Sequence, residues 1–353
     1  MAVRISSNDI IPSRVVLNRR GALGRLLAGL TLGAVIAAAP LAAQSESKAA
    51  ARPSHGKLPR TPDGKPDLQG TYTHGTLTPF ERPAALGDKA FYTEEEAREE
   101  ERKAIARRAN RGTARPGDVG GDNEAFVDSG YTALPTRQTS LIVEPPNGRL
   151  PLLPAAEKQR DFNLTSTDSY ESMSPWDRCI TRGPTLMLPT GYNNGTRITQ
   201  TPGFVVIESE MIHEARIVPL DGKPHADPHL RSWTGDPRGH WEGDTLVVDS
   251  TNFTDKGWVS THAGSGRLRG VPNSESLHLI ERFTMADAGT IAYELVVEDP
   301  KVYSQPWKVS LPLRRDPEYA MFEYACHEGN QAIELSLRGA RFEEREGQAA
   351  TPR

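Results

Sequence analysis

From Arg197 to Glu328 apolar and polar residues alternate in short runs separated by turn residues. A period of two marks half-buried strands. Eight runs stand out: Arg197–Thr201, Phe204–Ser209, Glu214–Leu220, Asp244–Phe253, Ser276–Met285, Thr290–Asp299, Trp307–Arg315 and Met321–Glu328. The run Ile291-Ala292-Tyr293-Glu294-Leu295-Val296-Val297-Glu298 shows the enrichment in β-branched and aromatic residues that strands favour. Asp287-Ala288-Gly289 and Glu242-Gly243-Asp244 read as compact hairpin turns. Antiparallel strands following one another in chain order predict a mainly β protein, an eight-stranded up-and-down barrel with room for one small ligand.

The pattern is different upstream. Residues 44–60 are small and polar without a period and read as a linker. Pro62-Asp63-Gly64 is a turn, and Gly70-Thr71-Tyr72 opens a short strand. Tyr92–Arg111 is the one strong helix: Thr93 and Glu96 form a capping box, with acidic residues first and Arg107, Arg108 and Arg111 last. Its apolar stripe (Ala97, Ala104, Ile105) is thin, which predicts a solvated surface helix. Thr139–Glu144 is a strand stopped by Pro145, and Leu152–Arg160 a short helix. Thr113–Asp128 and Asp255–Ser274 are Gly-rich loops. The expected organisation is an N-terminal signal over residues 1–43, the linker to 60, an extension over 61–160, and the barrel over 161–345.

Composition adds the compartment. Arg14, Arg19, Arg20 and Arg25 precede an apolar run, Leu26–Ala39, then the small residues Pro40-Leu41-Ala42-Ala43. This is the layout of an export signal, and the run is too short for a comfortable membrane span. Arg19-Arg20 followed by Leu23 partly matches a twin-arginine signal, so twin-arginine and general secretory export both stay open. A net charge of −4 gives no reason to expect nucleic-acid binding. The two cysteines, Cys179 and Cys326, form an even pair that an oxidising periplasm can join; free thiols are the alternative. Catalysis by Cys326 with His327 is disfavoured, because strand neighbours point to opposite faces.

The stretches TPDGKPDLQGTY, RQTSLIVEPPNGRLP, DRCITRG, GYNNG, IHEARIVPLDGKPH, WEGDTLVVDSTNF, LHLIERF, YELVVEDP and EYACHEGN resemble a large, mostly uncharacterised family of secreted bacterial proteins. The likeness spans about Thr61 to Arg341 and implies export more than any activity. Separately, Asp67-Leu68-Gln69-Gly70-Thr71-Tyr72 is similar to the Gly-x-Trp opening strand of lipocalin-like barrels, with Tyr72 in place of Trp. With the strand meander, this makes a lipocalin-like (calycin) barrel the expected fold.

Polar residues inside apolar strand patterns need a reason, since an unpaired buried charge is costly. His213, Arg216, Asn252, His278, Glu281, Arg282, Glu323 and His327 meet that description. In the fifth run, Leu277, Leu279, Glu281 and Phe283 share one face, and His278, Ile280 and Arg282 the other. Which face lines the barrel is open at this level. Glu323 and His327 share a face of the eighth run. The expected catalytic set is His213 or His327 as base with Glu281 or Glu323 as acid. Arg178 or Arg216 would clamp an anion, with Tyr192, Asn193, Asn252 and His278 as further substrate contacts. An internal ion-pair network that pins the barrel is the structural alternative. His225-Ala226-Asp227-Pro228-His229 is the one metal-like spacing, but Pro228 breaks it and no distant ligand is evident, so no metal or cofactor is expected.

The functional expectation is an exported, cofactor-independent enzyme doing acid/base chemistry (lyase, isomerase or hydrolase) on a small aromatic or sugar-derived compound. A periplasmic small-molecule binder of the same fold is the alternative. A small molecule is the expected partner, with no nucleic acid and no membrane span once the signal is removed; a homodimer is allowed.

Overall fold

Alternating residues become strands here because each can bury one row of side chains against the same interior. The computed structural model describes residues 58–109, 130, 132–166, 168–259 and 270–346. The segments expected as export signal, most of the linker, the Thr113–Asp128 loop and the middle of the Asp255–Ser274 loop lie outside the described residues. In chain order the elements are β1 (Gly70–Thr73), α1 (Glu94–Ala109), β2 (Ile142–Glu144), α2 (Pro154–Thr165), β3 (Gly195–Gln200), β4 (Phe204–Ser209), β5 (Ala215–Pro219), β6 (Asp236–Glu242), β7 (Thr245–Thr251), β8 (Trp258–Val259), β9 (Val271–Pro272), β10 (His278–Asp287), β11 (Thr290–Glu298), β12 (Trp307–Arg315) and α3 (Ala332–Arg345).

The main sheet runs β5-β4-β3-β1-β12-β11-β10-β7-β6, with β2 added on β12. Read around the wall from β1, this is a meander in chain order whose β12 returns to pair antiparallel with β1. The result is a nearly closed antiparallel barrel. Nine wall strands is an odd number, so alternating directions put β5 and β6 parallel to each other. They meet without a hydrogen-bonded ladder. The seam is closed by side-chain packing instead: a Cβ on Gly239 of β6 would stand 2.8 Å from Val218 Cγ1 and 2.6 Å from Leu220 Cδ2. Only glycine lets the two backbones approach this closely.

The inner face of the wall is settled by burial. On β10, Leu279, Glu281, Phe283 and Met285 are buried, while His278, Ile280 and Arg282 are half-buried on the outside. Tyr293 and Leu295 of β11 and Val309 and Leu311 of β12 continue the inner layer. Each fully buried side chain of this size contributes about 1.5–3 kcal/mol. Tyr72, on β1, is fully buried and donates its hydroxyl to the Leu68 carbonyl (2.9 Å).

Seven of the eight expected runs are wall strands. Met321–Glu328 is not: it is an irregular segment with Phe322 73% exposed. Both edges of β12 are taken, by β11 and by β1 with β2, and the Phe322 N–H goes to the Glu210 carboxylate (3.1 Å) instead of a ladder. β1 takes the place between β12 and β3 that the eighth run was expected to hold, and β6 adds a further strand between β5 and β7. β1 and β2, read as part of an N-terminal extension, hydrogen-bond into the same sheet as the later strands. The α1 capping box forms in both directions: Thr93 N–H donates to Glu96 (2.8 Å) and Glu96 N–H to Thr93 Oγ1 (3.2 Å). α1 leaves Ile105 exposed and buries Ala97. Among the described residues no helix is long and apolar enough to cross a membrane.

Candidate functional site

β1 leaves the barrel, and β3 and β5 enter it, at the same end. Beneath this end the inner face turns polar. Arg216 is the second residue of β5 and Glu281 the fourth of β10, each with a side chain 1% exposed. Their contact spans the interior and is bidentate, NH1 to Oε2 at 2.5 Å and NH2 to Oε1 at 2.9 Å. Tyr293 adds its hydroxyl to Glu281 Oε1 (2.8 Å). Burial first, and the Glu281 charge second, push the Tyr293 hydroxyl well above its ordinary range, so it stays a donor. Burial alone would lower Arg216; Glu281 outweighs it and holds the guanidinium charged.

The charge pattern continues outward. Glu214, just before β5, accepts from the Thr181 hydroxyl (2.8 Å) and the Arg182 N–H (3.2 Å). Burial raises its carboxyl above the usual range against those donors and the fields of Arg216 and Arg182. Arg182 is fully buried, donates to the Leu188 carbonyl, and is pushed down to about 10 by burial. His74, immediately after β1, is pushed down to about 3 by burial and by the charge of Arg182, so it is neutral at pH 7. The order Glu281, Arg216, Glu214, Arg182, His74 is thus an alternating chain, buried except for the half-buried Glu214, that ends in an uncharged imidazole. Among the described residues two of its polar atoms have no hydrogen-bond partner, His74 Nδ1 and Arg216 Nε. Such orphaned valences are rare in folded proteins and call for a role.

A cap covers this end. Residues 181–188 are buried without regular structure, and Met187 reaches the inner-face Thr196 (Oγ1 to Sδ 3.7 Å). Trp176 and Tyr192 lie 6.1 Å apart between ring centroids, and Trp176 Nε1 donates to the Tyr324 hydroxyl (3.1 Å). Cys179 and Cys326 are disulfide-bonded, Cα to Cα 5.6 Å, which ties the cap to the 321–330 segment. A crosslink of this span is worth about 4–5 kcal/mol in the chain-entropy account. The pairing removes both thiols from any nucleophilic role.

Besides the two cysteines, the expected site residues that the structure brings into contact are Arg216 and Glu281. His213 is exposed on the turn after β4, φ +42°, with Nδ1 3.0 Å from the Tyr324 carbonyl. Glu323 and His327 are exposed on the irregular segment, so the shared strand face expected for them does not exist. Arg178 lies over the Tyr170 ring (5.3 Å), and Tyr192 belongs to the aromatic cap. Asn193 has φ +51°, a turn position inside the Thr190–Asn194 loop. Asn252, φ +59°, tethers a loop by donating to the Ala226 and Asp227 carbonyls (3.1 and 3.2 Å).

His278 lies on the outer wall, in a second network. His225 contacts Asp236 through Nδ1 (3.1 Å) and Asp249 through Nε2 (3.0 Å). His278 contacts the same Asp249 oxygen through Nε2 (3.0 Å) and Glu298 through Nδ1 (3.0 Å). Against the burial that would raise it, the Ala226 N–H, Arg238 and His225 hold Asp236 below the usual carboxylate range. His229 is exposed, and among the described residues no three His, Cys, Asp or Glu side chains are placed to hold a metal ion.

No family model, no curated protein and no solved structure matches the chain. The site therefore stands on its own geometry. His74, Arg182 and Glu214 were outside the expected set, and two signals point to them. His74 is two residues beyond Tyr72, on the same inward face. Arg182 is the single charge within Ile180–Pro189.

Proposed function

We propose that this chain is an exported barrel enzyme that performs cofactor-independent acid/base chemistry on a small molecule. The capped polar end is its active centre. The observation that carries the reading is His74: buried, neutral, with Nδ1 unpartnered, beside the Glu214–Arg182–Arg216 charge chain. Perturbed titratable groups gathered in one enclosure are the usual mark of a reactive site. Glu214, with its raised carboxyl, is the proton-transferring residue in this scheme. His74 hydrogen-bonds the substrate without carrying charge, and Arg182 stabilises negative charge as it develops. Glu281 and Arg216 hold the chain in place rather than react. The aromatic cap favours a substrate with an aromatic or sugar ring, stacked on Trp176 or Tyr192.

Export is part of the same proposal and rests on residues 1–43 and on the oxidised cysteine pair. The likenesses to the secreted bacterial family and to lipocalin-type barrels, carried by the motifs from Thr61 to Arg341, belong to the same proposal. A second reading, a binder without turnover, is favoured by the Arg216–Glu281 pair, which is already saturated and resembles a structural pin. The test incubates the mature protein with lignin-derived aromatics and oxidised sugars and follows products by mass. Glu214→Gln and His74→Asn are expected to lower turnover by about 10²–10⁴, whereas His213→Ala, Glu323→Gln and His327→Ala leave it intact. Compounds bound by the wild type but never converted would establish the binder instead.

A further inference from the structure

The β5–β6 seam is the one place where neighbouring wall strands lack a ladder. The chain between these strands, residues 220–235, travels from one barrel end to the other. It is fastened by the outer network. His225, on this connection, reaches Asp236 at the start of β6 and Asp249 on β7. Asp249 also takes His278 of β10, whose second nitrogen meets Glu298 of β11. Asn252 holds the same connection through the Ala226 and Asp227 carbonyls. The remaining charged groups facing the rings are Arg238, which pairs with Asp236 at 3.0 Å and approaches Asp221 at 3.8 Å.

Counting hydrogens decides what this network does. Four ring nitrogens, two on each imidazole, face carboxylate oxygens at 3.0–3.1 Å. A carboxylate only accepts, so all four contacts are hydrogen bonds only if each ring carries two N–H groups. Two imidazolium ions and Arg238 then balance Asp236, Asp249 and Glu298. Neutral rings supply half the donors. The other two contacts then oppose a ring lone pair to a carboxylate, and two negative charges go uncompensated.

We infer that His225, His278 and Asp249 form a proton-dependent latch, which fastens the 220–235 connection across the unladdered β5–β6 seam when both rings are protonated and loosens it when they are neutral. Histidine is the side chain whose charge changes in the range where such a switch is useful. The inference is independent of the proposed active centre, since it concerns backbone opening and not a substrate.

Hydrogen exchange with mass detection, on the intact mature protein at pH 5.5 and 8.5, tests it, with each rate divided by the intrinsic rate at that pH. Protection of residues 220–235 and of Asp236–Glu242 is expected to fall on the order of ten-fold at the higher pH, the loss of charged hydrogen bonds. Protection of β11 and β12 stays constant. The double variant His225→Gln, His278→Gln is expected to show no pH dependence in these segments, and Asp249→Asn to exchange at pH 5.5 as the wild type does at 8.5. Protection that is equal at both pH values in the wild type overturns the latch. So does a pH dependence that survives in the double variant.

Discussion

Strands β10 and β11 carry two polar networks of opposite character. On their inner face Glu281 and Tyr293 join Arg216 in a site with side chains 1% exposed at both ends of the ion pair. On their outer face, three residues from Glu281, His278 joins Glu298 and Asp249 with side chains 29–42% exposed. The strands are the same; the period of two sends neighbours to different media. Inside, no water competes, so the pair must be complete and its charges cannot be released singly. Outside, solvent screens the contacts, each is weak, and protonation can change them without unfolding the barrel. The inner network pins, the outer one adjusts.

The largest expected effect breaks the inner side. Glu281→Gln leaves Arg216 as a buried cation without its counter-charge and should cost about 3–5 kcal/mol in urea denaturation. Arg216→Met combined with Glu281→Leu should recover most of that loss, as expected where apolar packing replaces a buried ion pair. If the single change costs no more than a surface ion pair, the contrast between the networks disappears.

A second, smaller effect concerns the outer end of the inner chain. His74 has its folded value lowered from 6.5 to about 3, so the folded state resists its protonation. That contribution to stability is full above pH 6.5 and is lost as pH falls from 6.5 towards 3, at about 1.4 kcal/mol per pH unit. His74→Asn should therefore flatten this part of the stability profile, by about 2 kcal/mol at pH 5. Denaturation curves of both proteins at pH 7 and pH 5 measure it. Glu214 works the other way: its folded value is raised, so its contribution is present at low pH and lost as pH rises through that value. Glu214→Gln should gain on the wild type as pH increases, read from the same curves.

The smallest effect belongs to the outer face. Glu298→Gln should change stability at pH 7 by less than about 1 kcal/mol. Melting temperature in low and high salt checks it, and the small difference should shrink further with salt. A cost comparable to Glu281→Gln would mean that the outer network is structural after all.

Much of the wall could be read from the chain because its strands bury one clean row each. Leu279, Phe283, Tyr293 and Leu295 alternate with polar residues, and a one-residue slip would expose them all. The α1 capping box is likewise local chemistry. β6 was not readable: Asp236-Pro237-Arg238-Gly239-His240-Trp241-Glu242 has Gly239 as its only buried position, since its far edge packs on β5 through bare backbone. Met321–Glu328 misled for the converse reason. Its Phe322 and Tyr324 alternate like strand residues, yet both edges of β12, the strand before it, are taken, and Glu210 and the disulfide hold the segment. α3 did carry a signal: Ile333, Leu337 and Ala340 recur at helical spacing and form its shielded face, while Leu335 and Phe342 stay exposed.

The site divides along the same line. Local pattern selected Arg216 and Glu281 as charges that needed a reason, and placed them in strands. It did not say that β10 turns its Leu279–Glu281–Phe283 row inward, because both rows carry apolar residues and one ionisable group or more. Closure of the barrel decided that, by putting Glu281 opposite Arg216 and His278 opposite water. Closure also brought His74 and Arg182 together across more than one hundred residues of chain. Periodicity is a property of a few neighbouring residues and survives in the bare sequence. Which groups meet, and whether water reaches them, depends on how distant strands join, and only the folded chain holds that information.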